Sequence, residues 1–268
     1  QVRALAEALG VELTMKTVRV NAPWRFLPNV FFDLGLHRLL PVASPDVGGL
    51  PELVISCGRK GALAAALLRK KRGKGTRFIH IQDPQMSPKN FDLVIAMEHD
   101  RIRAANVHAM PCALHAVTPE KLAQQRRHWQ PKFEHLPRPW KAVLIGGTTN
   151  RYRFTGRAMD NLISDLEKIE GSLLVTSSRR TGEENIARLN AFGHRAHPRM
   201  FLYTGEVENP YMGMLACADE IYVTNDSVNM MTEALATGKP VHVLNLLGHK
   251  GTKPARVSNT RRPNCLAI

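Results

Sequence analysis

A chain of 268 residues can hold two ordinary domains, and 44% hydrophobic with 22% charged residues excludes a disordered or fibrous protein. No apolar run reaches the roughly 18 residues needed to span a bilayer. The formal charge of +14 is uneven: residues 69–77 carry six cations and no acid, and residues 250–262 carry five cations and no acid.

Such clusters attract phosphate, anionic lipid or nucleic acid, or else are a solvated helix end and a tail. The basic runs lack interleaved aromatics and no nucleic-acid motif is present, so no nucleic-acid partner is expected. Cys57, Cys112, Cys217 and Cys265 are scattered, without a CxxC or a histidine pair at ligand spacing. That pattern predicts free thiols in a reducing cytoplasm and no metal site. Gln1 to Glu7 lacks a signal-peptide pattern and reads as a helix entered partway through a longer protein.

In chain order, residues 11–18 alternate like a strand. Residues 24–40 follow, holding four of the chain's twelve Phe and Trp residues. Trp24, Leu27, Phe31 and Leu34 recur there at helical spacing, with Arg25 and Arg38 flanking. This segment is either a lipid-interface element or a helix packed on its own sheet; Pro28, Asn29 and Gly35 oppose a long regular helix. Residues 51–57, 77–81 and 91–96 are short apolar runs bounded by turn residues, as buried parallel strands are. A helix is expected through residues 62–68, and another opening at Thr118-Pro119-Glu120.

Leu136-Pro137-Arg138-Pro139-Trp140 forbids a helix and predicts a joint between domains. Beyond it strands are expected at 141–145, 172–176, 200–203, 220–223 and 241–244. Helices are expected near 157–169, 183–192, 211–217 and 228–237. The expected organisation is therefore α/β: two Rossmann-like, doubly wound parallel-sheet domains facing a cleft, over 1–136 and 137–247. Residues 248–268 read as an irregular basic tail.

Ligands of open parallel sheets bind beyond the carboxyl ends of the strands. Here those ends are polar: Ser56, Gly58 and Arg59, then Gln82 and Asp83, then Glu98 and Asp100 in the first half. In the second half they are Gly146, Gly147, Thr148 and Asn150, then Ser177, Ser178, Arg179 and Arg180, then Asn225, Asp226 and Ser227. Two glycines let a ligand approach the backbone closely, with Arg153 nearby for phosphate; the alternative is a tight turn with surface arginines. No Gly-Lys-Ser/Thr and no GxGxxG is present, which disfavours nucleoside triphosphatases and dehydrogenases. Ser177 to Arg180 either cap a helix or bind diphosphate. Glu233 follows Asn229 by four residues, so the two share a helix face, suited to ribose hydroxyls or to a plain capped helix.

The segment from Thr224 to Pro240, with its Ser/Asn-rich turn, Glu-Ala helix and Gly-Lys-Pro-Val, resembles the donor-binding motif of GT-B glycosyltransferases. More closely, the stretches 54–61, 79–84, 91–100, 145–154, 175–184 and 209–240 are similar to the mitochondrial fission Elm-type family, regarded as GT-B-like. The resemblance implies that Glu233 binds ribose and that the Gly146-Gly147 loop faces the donor diphosphate. It further implies metal-independent, inverting transfer of a sugar from a nucleotide-sugar donor to an envelope or lipid-linked acceptor, with no cofactor. Arg153, Arg179 or Arg180 would then stabilise the departing diphosphate. Asp83 is the expected general base, Ser56, Gly58, Arg59 and Gln82 line the acceptor side, and a turn-forming role for Asp83 stays open. A membrane-anchored acceptor or anionic lipid would place the protein peripherally on the inner face of the membrane. A nucleotide-sugar epimerase and a non-enzymatic recruitment protein are the alternatives.

Overall fold

The structure, a computed structural model, describes residues 1–38, 51–72, 75–149, 153–196, 198–205 and 208–246, the side chains of 38, 71 and 72 excepted. The expectations at Asn150 and in the 248–268 tail fall outside these residues. Packing divides the chain into Gln1–Leu114 and a second unit that begins at His115.

The first unit holds α1 (Val2–Ala8), α2 (Val30–Asp33), β1 (Leu53–Cys57), α3 (Gly58–Arg72), β2 (Arg77–Ile81), β3 (Leu93–Met97) and β4 (Val107–Met110). Its four strands are parallel and lie in chain order, β1-β2-β3-β4. Strand periodicity sends Phe78, Val94 and Ala96 to one face, where Ala62, Leu63, Ala65 and Ala66 of α3 cover them. Ile55, Ile79, Ile81 and Ile95 take the other face, with Leu5 of α1.

Residues 11–18 form no strand. Their alternation is real, but no described strand pairs with them, and Val11, Leu13 and Met15 stay exposed. A strand is defined by its ladder and not by its pattern. Together with β1 and α3 they border an apolar groove of about 850 Å³. The stripe expected in residues 24–40 is split: Leu27 and Phe31 are half-buried, between a buried Trp24 and an exposed Leu34. Trp24 and Phe32 are fully buried, whereas Phe26 and Leu34 are 76% and 74% exposed. Cys57 and Cys217 are free, as the scattered spacing predicts.

The second unit holds α4 (Pro119–Phe133), β5 (Trp140–Ile145), α5 (Gly156–Glu167), β6 (Ser172–Ser177), α6 (Glu183–Ala196), β7 (Met200–Tyr203), α7 (Tyr211–Cys217), β8 (Glu220–Thr224), α8 (Val228–Ala236) and β9 (Val241–Leu244). Its five parallel strands are ordered β7-β6-β5-β8-β9. The sheet is doubly wound: Ala142, Leu144, Leu174 and Val223 pack with buried residues of α4 and α7, and Val143, Ile145 and Val175 with those of α5 and α6. The expected joint at residues 136–140 lies inside this unit, because α4 belongs to the second sheet. Its Trp129 and Phe133 stack at 5.7 Å, and Phe133 meets Phe201 of β7 at 5.1 Å. Thr118 caps α4 by accepting from the Lys121 N–H, as its sequence predicts. No helix among the described residues is long and apolar enough to cross a membrane.

Candidate functional site

Strand order in the second sheet reverses at β5: the chain moves outward to β6 and β7, then returns to β8 on the opposite side. In such sheets the loops leaving the two central strands diverge to opposite faces and leave a crevice between them. Here those loops are Gly146-Gly147-Thr148 after β5 and Asn225-Asp226-Ser227 after β8, and the β6 loop from Ser178 to Thr181 lies beside them.

The three loops brace one another around the Asp226 carboxylate, whose side chain is fully buried. It accepts the Gly147 N–H at 2.9 Å and the Thr224 hydroxyl at 2.7 Å, and Arg180 lies 3.5 Å away. The Thr224 hydroxyl also accepts the Gly146 N–H, and the Thr148 N–H bonds the Arg180 carbonyl. Thr181 donates to the Gly146 carbonyl at 2.6 Å. A Cβ on Gly146 would sit 2.2 Å from the Asp226 oxygens, and one on Gly147 2.1 Å from the Arg180 carbonyl oxygen. The glycines are thus required by the chain's own close approach, and their amides are already bonded.

The remaining predicted residues separate into two groups. Asn225 is buried and accepts the Leu246 N–H at 3.0 Å, tying β8 to the segment after β9. Ser227 caps α8 by accepting from the Met230 N–H. Ser178 accepts the Arg180 N–H at 3.1 Å. These three stabilise loops. Arg153, Arg179, Arg180 and Thr148 are exposed, with Ser177 and Asn229 half-buried nearby in chain terms at the end of β6 and the start of α8. Among the described residues neither Arg153 nor Arg179 has an ion pair. The braced loops therefore carry an outward-facing set of cations with little internal demand on it.

Glu233 is half-buried. Its Oε2 accepts the Tyr211 hydroxyl at 2.5 Å. Burial pushes the Glu233 carboxyl above its usual range, partly offset by the phenol; burial and the neighbouring carboxylate push the Tyr211 phenol well up. Tyr211 was not foreseen, since 22 residues separate it from Glu233 and nothing local marks the pairing.

In the first unit the predicted residues are occupied. Arg59 donates to the carbonyls of Leu27 and Arg25 at 2.8 and 2.6 Å. Gln82 donates to the Gln1 side chain, and Ser56 bonds His80 Nδ1 at 2.8 Å. Gly58 opens α3 with φ +70°. Asp83 accepts the Gln85 N–H at 2.7 Å, the turn-forming role left open by its position before Pro84. Asp100 likewise accepts the Met97 N–H. His80 is packed against Phe91, and burial pushes its imidazole down to about 4. No grouping of three or more His, Cys, Asp or Glu side chains suited to a metal occurs among the described residues.

The sequence profile described as Mitochondrial fission ELM1 matches residues 1–261. The mitochondrial fission protein ELM1 of Arabidopsis thaliana is 28% identical over 220 residues, which cover 72% of this chain and 51% of that protein. The chain thus spans about half of that relative. The uncharacterized protein RP120 of Rickettsia prowazekii is 26% identical over 297 residues, covering 91% of this chain and 82% of the other. Among solved structures, a putative UDP-N-acetylglucosamine 2-epimerase from Listeria monocytogenes aligns with TM-score 0.49 and 14% identity, over 72% of this chain and 57% of that one.

Proposed function

The chain belongs to the mitochondrial fission ELM1 family, and from that premise we propose that its second unit binds the nucleoside diphosphate part of a nucleotide-sugar in a GT-B-type glycosyl transfer. The observation that carries this reading is the coincidence of the strand-order reversal at β5 and β8 with exposed Arg153, Arg179 and Arg180 on the adjoining loops. Arginine forks match the geometry of phosphate oxygens. The diphosphate is held by side chains and by the N-terminal end of α8, because the amides of Gly146, Gly147 and Thr148 are bonded within the chain. Glu233 accepts from the ribose hydroxyls, with Tyr211 fixing its carboxylate.

In the transfer step the arginines stabilise negative charge on the departing diphosphate, the task a divalent metal performs elsewhere. Asp83, oriented by the Gln85 N–H, is the proposed base for an acceptor hydroxyl, with Ser56, Gly58, Arg59 and Gln82 on the acceptor side. The acceptor is an envelope or lipid-linked, membrane-anchored molecule.

Calorimetric titration of the full chain with UDP, GDP and ADP, without added divalent cation, tests this. One of them should bind at micromolar affinity, and Glu233→Ala should weaken it by roughly 1.5–3 kcal/mol, as for a hydrogen bond to a charged group. Because burial raises the Glu233 pKa, affinity should decline at a higher pH than for an ordinary carboxylate as the buffer is acidified. Absence of binding by all three would instead favour the recruitment role.

A further inference from the structure

The first unit projects a braced apolar knuckle, residues 24–37, and we propose that it docks on an anionic lipid bilayer by inserting Phe26, Val30 and Leu34. These side chains are 76%, 50% and 74% exposed. Val30 and Leu34 stand one helical turn apart, since the Leu34 N–H bonds the Val30 carbonyl. Three large apolar groups in water on one short segment are what membrane-inserting elements present.

Their exposure is enforced by the inner side of the segment. Trp24 and Phe32 are fully buried and meet edge to face at 6.2 Å. The buried Asn29 donates to the carbonyls of Arg59 and Pro84 at 2.9 and 2.7 Å. Arg59 reaches back to the carbonyls of Leu27 and Arg25. Asp33 accepts the Ser87 N–H and the Asn90 side-chain amide, one at each carboxylate oxygen. A segment tied at six residues cannot turn over to hide Phe26 and Leu34. Insertion then needs little further ordering of the chain.

Charge selects the partner. The exposed Arg25 lies with its guanidinium 5.6 Å from the Phe26 ring centre. Lys70 of α3 packs 4.7 Å over the Phe32 ring and reaches His37 Nε2 at 3.5 Å, so the basic end of α3 adjoins the knuckle. In the sequence, residues 69–77 contain no acid and six cations, of which Arg69 is paired with Asp92 of its own unit. The carboxylate of the segment itself, Asp33, is engaged on both oxygens. Apolar tips flanked by cations complement acyl chains beneath anionic headgroups. An apolar protein groove would match the tips and leave the cations unanswered.

Flotation of the full chain with phosphatidylcholine vesicles, with and without phosphatidylglycerol, tests the proposal independently of nucleotide binding. Binding is expected only with phosphatidylglycerol, and it should fall as salt rises through the range where the Debye length shrinks below about 8 Å. Phe26→Ser with Leu34→Ser should weaken it by about tenfold or more, with an unchanged circular dichroism spectrum because both residues are exposed. Arg25→Gln with Lys70→Gln should remove the difference between the two vesicle types. Leu9→Ser with Met15→Ser, altering exposed apolar residues elsewhere in the unit, should float as the unaltered chain does. The proposal is overturned if the chain stays with the soluble fraction on phosphatidylglycerol vesicles, which would assign the knuckle to a protein partner. It is equally overturned if the Phe26→Ser, Leu34→Ser variant floats undiminished.

Discussion

At the carboxyl ends of β1 and β2, Arg59, Gln82 and Asp83 each bond a group of their own unit. At the carboxyl ends of β5, β6 and β8, loops that brace each other through Asp226 leave Arg153 and Arg179 exposed without an ion pair among the described residues, and Arg180 exposed 3.5 Å from Asp226. Both sets of residues occupy the same topological position, and both read as ligand-binding in the sequence. Topology distinguishes them. The four described strands of the first sheet run in chain order, whereas the second sheet reverses at β5. Only a reversal opens a crevice between diverging loops. A polar strand end without one tends to tie down neighbouring chain, and the hydrogen bonds of Arg59 show this happening.

The largest effect is expected where the bracing is tightest. Gly147→Ala places a Cβ 2.1 Å from the Arg180 carbonyl oxygen, which is main chain and cannot swing aside. The substitution should cost about 3 kcal/mol or more, read by urea unfolding of the second unit. A loss under about 0.5 kcal/mol would mean that the loops are not mutually locked.

In the first unit, the buried His80 sets a pH dependence. Its folded pKa of about 4 lies below the usual 6.5, so the unfolded chain binds the proton first. The contribution is therefore intact above pH 6.5 and is lost as pH falls toward 4, amounting to about 3 kcal/mol. His80→Gln should flatten that slope of stability against pH, and an unchanged slope would locate the acid sensitivity elsewhere.

Arg59→Ala sharpens the comparison from the other side. Losing two charged hydrogen bonds to carbonyls should destabilise the first unit by about 2 kcal/mol and leave nucleoside diphosphate affinity unchanged. A parallel drop in affinity would place Arg59 at the nucleotide site rather than on the acceptor side. The smallest stability effect belongs to Arg179→Ala: within about 0.5 kcal/mol of the unaltered chain, but with nucleoside diphosphate affinity lowered about tenfold. If affinity holds, the exposed arginines are surface charge only.

The sheet strands from Leu53 onward were legible because buried parallel strands are short apolar runs between turn residues, and nearly all of them appear where expected. β4 was not, since Val107-His108-Ala109-Met110 is short and half-polar. The alternation at residues 11–18 predicted a strand that lacks a described partner, because pattern reports a face and not a neighbour. The place of α4 was misread for the same reason: Trp129 and Phe133 mark an apolar face without naming the sheet it covers. At the site, the glycines and Asp226 were visible as residues, but not that they fill one another's space. Long-range pairs such as Tyr211 with Glu233 leave no local trace in the chain.

Hydrogen exchange of the full chain, with and without saturating nucleoside diphosphate, tests the central claim most directly. The account predicts slowed exchange at residues 146–149, 177–181 and 224–233, and no change at 56–61 or 82–85. Protection confined to the first-unit strand ends, or none at the three braced loops while ligand is bound, would contradict it.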